Sequence, residues 1–319
     1  MKKHILCMLA LLIGIFSAGT ALAGETSSEA VRLGALKGPT TMGIVNMVAD
    51  PEKQSSYEFQ LATQADELLP KLASGDLDIA LIPANAAAAL YQKTKGGITV
   101  LDINTLGVLY CVTGDPAITS VKDLAGKTVL MTGQGTTPEY TVRYLLAQNG
   151  AEDCELEFVS EPTEAAARLA EDPNQIAVLP QPFATAAQIQ NEALAAAFSL
   201  TDAWDEVSDG SRMVTGVTVA RADFAAEHPE LIAQFLADHA ASVELCATDA
   251  DTTAERIVSY EIVAKAPIAK KALPACNLVC ITGEEMKEAL SGYLQVLYDA
   301  APESVGGEMP GEDFYYIAP

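Results

Sequence analysis

The sequence predicts an α/β protein of two lobes, each an open sheet with flanking helices. Short apolar runs bounded by turn residues recur along the chain, and each leads through a turn into a helix start, as parallel strands do. The 319 residues suffice for two lobes of about 100 to 150 residues each. Two β-branched segments flanked by glycine, 105–114 and 212–219, are suited to crossing between the lobes; alternatively, they are ordinary strands of one large domain.

The amino terminus has the pattern of an export signal. Lys2 and Lys3 form a basic start, residues 5–16 are apolar, and a small-residue cleavage site ends at Ala23. The apolar run is shorter than the roughly 20 residues that a spanning helix needs, and no cysteine follows to carry a lipid anchor. We therefore expect residues 1–23 to be removed and the product to lie free in a periplasm or to be secreted.

The charge of the chain is strongly negative, with 43 acidic and 19 basic residues and a formal net charge of −24. A nucleic-acid backbone would be repelled by such a surface, so we expect no nucleic-acid partner. Apolar residues make up 50% of the sequence, which is sufficient for folded cores.

The first strand-turn-helix unit begins with a strand at 31–36. Its turn supplies backbone N–H groups, two hydroxyls and a helix start that suit a small anion or polar group. The candidate ligand residues of this turn are Lys37, Gly38, Pro39, Thr40 and Thr41. An ordinary helix cap is the alternative.

The second unit is a buried strand at 79–83 that delivers Asn85 to a cleft, because ligands of open α/β sheets bind beyond the carboxyl ends of the strands. The alternative is that Asn85 only caps the helix that runs to Tyr91.

The third unit has a strand at 127–131, a glycine turn and a helix start. Its candidate ligand residues are Gln134, Gly135, Thr136 and Thr137. It is not a nucleotide motif, because Val121 replaces the first glycine of a P-loop and Pro138 replaces the third glycine of the dinucleotide pattern.

The fourth unit has a strand at 175–179, and the crossing segments flank this part of the chain. The turn after this strand adds the candidate ligand residues Gln181 and Pro182, and the crossing segments add Thr105 and Thr215. Residues 223–314 are predicted to be mostly helical and to pack back on the first lobe. The predicted lobes are 24–111 with 217–319, and 112–216.

Catalytic, metal and cofactor motifs are missing from the sequence, so no catalytic residue, metal or cofactor is predicted. His228 and His239 are expected at exposed helix positions, and Asp76 and Asp78 on a solvated turn. Five cysteines follow the signal, namely Cys111, Cys154, Cys246, Cys276 and Cys280. We expect them to be buried free thiols, or to form a single disulfide that involves Cys246, Cys276 or Cys280.

Together these features resemble the solute-binding proteins of ABC importers, in the nitrate, sulfonate, taurine and thiamine-precursor group. The resemblance rests on the export signal, on 38–43, on the 75–85 turn and strand, on 121–127 and on 135–139. It implies the type II periplasmic-binding-protein fold, in which two α/β lobes joined by two crossovers close on a solute. It also implies a monomer that delivers the solute to a permease in the inner membrane.

The class of ligand is open between an anion and a neutral ring. The hydroxyls, amides and backbone donors suit a small organic anion such as a sulfonate, with Lys37 or Arg212 supplying charge. They also suit a neutral heterocycle such as a thiamine pyrimidine precursor, stacked on an aromatic ring. The candidate rings are Tyr91, Tyr110, Tyr140 and Phe183. The sequence is also compatible with a sensor subunit that presents its ligand to a membrane kinase, and with an enzyme on the same fold.

Overall fold

The computed structural model describes residues 30–318, so the predicted export signal lies outside the described residues. Strands β1 to β11 are Val31–Leu36, Tyr57–Ala62, Ile79–Pro83, Ile98–Leu106, Leu109–Thr113, Thr128–Met131, Glu155–Phe158, Ile176–Pro180, Ala195–Ser199, Val214–Arg221 and Leu278–Ile281. Helices α1 to α13 are Pro39–Met42, Val45–Val48, Ala65–Ser74, Ala84–Thr94, Thr137–Gln148, Pro162–Glu171, Phe183–Gln190, Leu200–Asp205, Ala222–Glu227, Pro229–Thr248, Ala250–Ser259, Ala266–Ala272 and Gly283–Ala300. None of the helices within 30–318 combines the length and apolarity needed to cross a membrane.

The first sheet has six strands in the order β11-β4-β10-β3-β1-β2. Strands β1, β2 and β3 are parallel, and β10 lies antiparallel between β3 and β4. The second sheet has five strands in the order β7-β6-β8-β5-β9. Its strands β6, β7 and β8 are parallel, and β5 is antiparallel to both β8 and β9.

The chain passes between the sheets twice. It leaves the first sheet between Leu106, the end of β4, and Leu109, the start of β5. It returns between Asp205, at the end of α8, and Val214, at the start of β10. The predicted fold class, two open sheets with flanking helices joined by two crossings, is confirmed. The predicted lobe boundaries at 111/112 and 216/217 stay predictions.

One apolar core is continuous between the two sheets. Tyr144 lies on α5, the helix that follows β6 of the second sheet, and its ring packs on that of Trp204. Trp204 in turn packs on Tyr293 of α13, which lies against the first sheet. The ring centroids are 5.0 Å apart in both pairs. The Thr141 and Tyr293 hydroxyls lie 2.6 Å apart. Buried aromatic contacts of this kind contribute strongly to packing, so α5 and α13 join the lobes on this side.

Asp78 is buried, and the prediction of a solvated turn is wrong for this residue. Its side chain accepts hydrogen bonds from Arg32 on β1 and from Arg221 at the end of β10. Burial alone would raise the pKa of this carboxyl, but the bonds and charge of Arg32, with Arg221, hold the pKa below its usual range. Asp76 is exposed, as expected.

His239 is also buried, contrary to its predicted exposed position. Its side chain is fully enclosed between α10 and the first sheet. The five described cysteines are all free, and Cys280 is the one that is partly exposed.

Candidate functional site

A cavity of about 170 Å³ lies between the two sheets, and we call it the cleft. It is lined by residues at or just beyond the carboxyl ends of six strands, namely β1, β2, β3, β6, β7 and β8. Ligands of open α/β sheets bind at such strand ends. Both lobes therefore contribute the carboxyl ends of their strands to one cavity.

Six of the predicted ligand residues line the cleft. They are Lys37, Pro39, Thr40, Gln134, Thr136 and Thr215. Two of the hydroxyls are already committed to backbone carbonyls: Thr40 donates to Leu36 O at 3.1 Å, and Thr136 donates to Gly133 O at 2.7 Å. Each keeps lone pairs that can accept from a ligand.

Two polar groups of the cleft have no partner among residues 30–318. The ammonium of Lys37 has neither an ion pair nor a hydrogen bond to any residue in 30–318. The Thr215 hydroxyl is buried and likewise lacks a hydrogen-bond partner within the described chain. Because leaving a buried polar group unmet costs about 1–3 kcal/mol, this hydroxyl is a favourable position for a ligand contact.

The ionisable side chains lining the cleft within the described residues are Lys37 and Glu161. Glu161 precedes α6, and its carboxylate accepts a hydrogen bond from the Thr163 hydroxyl at 3.2 Å. Because the Lys37 ammonium has no partner among residues 30–318, the Lys37 side of the cleft is suited to a negative group.

A second cavity, of about 560 Å³, adjoins the cleft, and we call it the side cavity. It shares Gln64, Ala65, Gln134 and Thr136 with the cleft, and two more predicted ligand residues line it, namely Asn85 and Gly135. Helices α3, α4 and α5 provide most of its wall.

The Asn85 side chain is 2% exposed and joins three segments of the chain. Its amide nitrogen donates to Ser304 O at 3.0 Å and to Gly135 O at 3.4 Å, and its amide oxygen accepts from Thr137 at 3.1 Å. The Thr137 hydroxyl in turn accepts from the Asn85 backbone N–H at 3.3 Å. These bonds connect α4 of the first lobe with α5 of the second.

The remaining predicted ligand residues line neither cavity. These are Gly38, Thr41, Thr105, Thr137, Gln181 and Pro182. Their polar side chains bond within the protein: Thr41 to Leu36 O, Thr105 to the Asn104 amide, and Gln181 to Thr185. The Gln181–Pro182 peptide bond is cis. Ligand contact at these six positions stays a prediction.

Sequence reasoning missed two rims of the cleft, those that follow β2 and β7. Their residues are Thr63, Gln64, Ser160 and Glu161, with Thr132 as a further missed residue after β6. Strands β2 and β7 are edge strands with mixed burial, so they lack the continuous apolar run of β3. The available signal was the Ser160-Glu161-Pro162 helix start. The Gln64 amide crosses between lobes to donate to Ser160 O at 2.9 Å.

Of the four candidate aromatic rings, Phe183 is the one that lines the cleft. Tyr140 lines the side cavity, and Tyr91 packs on Phe314 with 5.1 Å between ring centroids. Tyr110 lies on β5 and lines neither cavity. A flat heterocycle in the cleft would therefore have one of these rings to stack on, and not a pair.

Comparison with known proteins gives a family and a fold. A family model described as menaquinone biosynthesis matches residues 39–299. No curated protein sequence matches the chain.

Similar solved structures extend over most of the chain. An ABC transporter protein from Parabacteroides distasonis has 22% identity and a TM-score of 0.76, covering 90% of this chain and 99% of that chain. The periplasmic aliphatic sulphonate binding protein SsuA from Escherichia coli has 16% identity and a TM-score of 0.70, covering 88% and 96%. The alkanesulfonate-binding protein SsuA from Xanthomonas axonopodis pv. citri, bound to MOPS, has 12% identity and a TM-score of 0.66, covering 89% and 95%.

At these identities the likeness establishes the fold, and the resemblance to solute-binding proteins inferred from the sequence is confirmed at that level. The chain belongs to the menaquinone biosynthesis family and has the two-lobed periplasmic-binding-protein fold.

Proposed function

We propose that the protein is an extracytoplasmic solute-binding receptor of an ABC importer, which holds a small organic anion between its lobes and delivers it to a permease. The main support is the cleft, where strand ends of both lobes surround the Lys37 ammonium and the Thr215 hydroxyl. Neither group has a partner in the part of the chain that the structure describes. A ligand that contacts both lobes favours the closed arrangement by the contacts that it gains there.

The proposed anion is a sulfonate or carboxylate. Its charged group would contact Lys37, and its remaining oxygens would accept from the Thr215 hydroxyl and the Gln134 amide. The names of the similar sulfonate-binding proteins agree with this class. We further propose that the receptor acts as a periplasmic monomer, consistent with the predicted signal at residues 1–23.

The test is a thermal-shift screen of the mature protein after unfolding and refolding to remove bound solute. The panel contains alkanesulfonates, carboxylates, nitrate, bicarbonate, amino acids and thiamine pyrimidine precursors. A ligand that binds the native state raises the melting temperature in a saturable way. A shift with sulfonates or carboxylates supports the proposal, while a shift confined to neutral heterocycles overturns the anion.

An enzyme that acts on a menaquinone precursor is the second candidate, because the family is described by a biosynthetic pathway. Acid-base chemistry in the cleft would then rely on Lys37 or Glu161, its ionisable side chains within the described residues. Each compound that shifts the melting temperature should be incubated with the protein and followed by mass spectrometry. Unchanged ligand supports a receptor, and a protein-dependent product supports the enzyme.

A further inference from the structure

A cluster of three metal-ligating side chains lies away from the cleft, between α10 and the first sheet. Asp102 on β4, His239 on α10 and Cys280 on β11 each offer one ligand atom, and these atoms all lie within 4.8 Å of one another. Asp102 and His239 are fully buried. We propose that these three residues bind a divalent transition-metal cation with affinity for both nitrogen and sulfur, of the Zn²⁺ type.

The spacing of the donors fits a tetrahedral ion. With Zn–S near 2.3 Å and Zn–N or Zn–O near 2.0 Å, ligand atoms lie about 3.3–3.6 Å apart. Asp102 Oδ2 and His239 Nδ1 are already 3.1 Å apart. Cys280 Sγ needs an inward movement of at most about 1.5 Å, which a side-chain rotation can supply. Three protein ligands leave a fourth position for water.

The strand register aims Cys280 at the cluster. Between Leu278, which pairs with Thr105, and Ile281, which pairs with Ile103, β11 has one residue more than β4. Such irregularities re-aim a side chain and are common beside functional sites. Strand β11 is also an edge strand, and Cys280 is partly exposed, so a cation can reach the cluster from the surface.

A second layer of hydrogen bonds positions the carboxylate. The Thr218 hydroxyl donates to Asp102 Oδ1 at 2.8 Å and accepts from the Asn104 amide at 3.2 Å. This fixes Oδ1 and leaves Oδ2 facing His239. Partners of this kind orient metal ligands in known sites.

The buried charge of the cluster favours a cation. A divalent cation with one carboxylate, one thiolate and a neutral imidazole has zero net charge, so the cation offsets the buried negative charge of Asp102. A cysteine thiol is ordinarily protonated near neutral pH, and it becomes a thiolate when it bonds a metal.

Metal binding moves two protons. The thiol of Cys280 loses its proton to solvent as the sulfur bonds the metal. In the tautomer that donates from Nδ1 of His239 to Asp102 Oδ2, the imidazole proton moves to Nε2 as Nδ1 bonds the metal. The move gives up the 3.1 Å contact between His239 Nδ1 and Asp102 Oδ2, which both atoms exchange for bonds to the metal. It leaves the Nε2 proton without a hydrogen-bond acceptor among residues 30–318.

Co²⁺ is the probe for this site, because a thiolate bound to tetrahedral Co²⁺ gives a charge-transfer band and visible d–d bands. The reduced, EDTA-treated protein is titrated with Co²⁺ and then with Zn²⁺. We expect both bands to saturate at one equivalent, Zn²⁺ to displace them, and Zn²⁺ to raise the melting temperature. Absence of the bands in the folded protein overturns the proposal.

Variants assign the ligands. Cys280→Ser should abolish the charge-transfer band, and the isosteric Asp102→Asn should weaken Co²⁺ binding at least about tenfold. The matched control is Cys154→Ser, which removes a buried thiol near the second sheet and should leave the bands unchanged. Circular dichroism verifies that each variant is folded. Because Cys280 is partly exposed, replacing it does not leave a cavity in an apolar core. A band that survives in Cys280→Ser overturns the assignment.

Discussion

The cleft and the Asn85–Thr137 contact use the same kinds of polar group for different purposes. Both lie just beyond strand ends, and the same sequence pattern predicts both as ligand sites. At the contact, the Asn85 and Thr137 side chains bond to each other and to backbone groups. In the cleft, Lys37 and Thr215 have no partner within the described chain. Position at a strand end therefore identifies candidates, and unmet hydrogen-bonding capacity separates ligand contacts from contacts that hold the lobes together.

Replacing Asn85 by alanine should reduce stability most. The change leaves the carbonyls of Ser304 and Gly135 and the Thr137 hydroxyl without their buried donor or acceptor. We expect the free energy of unfolding to fall by about 2–3 kcal/mol, measured by urea denaturation. The control Asn174→Ala, at an exposed residue bonded to Asp172, should change it by less than about 0.5 kcal/mol. Full stability with lost ligand affinity would instead place Asn85 in the binding site.

Replacing Lys37 by glutamine should weaken anion binding while preserving the fold. Hydrogen bonds to charged groups contribute about 1.5–3 kcal/mol, so we expect the Kd for an anionic ligand to rise at least about tenfold. Isothermal titration at two salt concentrations measures this, and the salt dependence should decrease in the variant. The control Lys122→Gln alters a lysine in the Val121–Leu124 turn, outside both cavities. Equal affinity in wild type and Lys37→Gln would contradict an anionic ligand beside Lys37.

Replacing Thr215 by valine should have a smaller effect on binding and little on stability, because the hydroxyl has no protein partner to lose within the described residues. We expect affinity to fall by about 1 kcal/mol, roughly fivefold. Thr99→Val is the matched control, since its buried hydroxyl donates to Phe314 O at 3.2 Å. That variant should lose about 1 kcal/mol of stability and bind normally. Lost stability with normal binding in Thr215→Val, together with weakened binding in Thr99→Val, would contradict the assignment of the Thr215 hydroxyl to ligand binding.

The smallest effect should come from acid titration of Asp78. Its pKa in the folded state lies below the ordinary value of 3.8, so the folded carboxylate contributes stability above that value and loses it as the pH falls through the folded pKa. Asp78→Asn should flatten the decline of urea stability below pH 4. The exposed Asp76→Asn is the control, and an identical acid profile in wild type and Asp78→Asn would contradict the assignment.

The strand units with continuous apolar runs, such as β3 and β8, were predictable because a fully buried parallel strand needs little information from the rest of the fold. Edge strands such as β2, β7 and β11 were not, because many of their residues are only partly buried and the strands lack the fully buried apolar run of β3. The rims that follow β2 and β7 were missed for this reason. Six predicted residues nevertheless line the cleft, because strand ends converge wherever parallel strands share a sheet.

Local sequence determines the recurring strand-turn-helix units, their order and the polar residues at strand ends, since these depend on side-chain periodicity and turn chemistry over a few residues. Which polar groups find a partner depends on residues far apart in the chain. Asp78 bonds Arg221, 143 positions away, and His239 bonds Asp102, 137 positions away. The tertiary structure alone therefore decides that these two side chains are buried and that the Thr215 hydroxyl is left unmet among the described residues, because burial and pairing arise only when distant segments pack together.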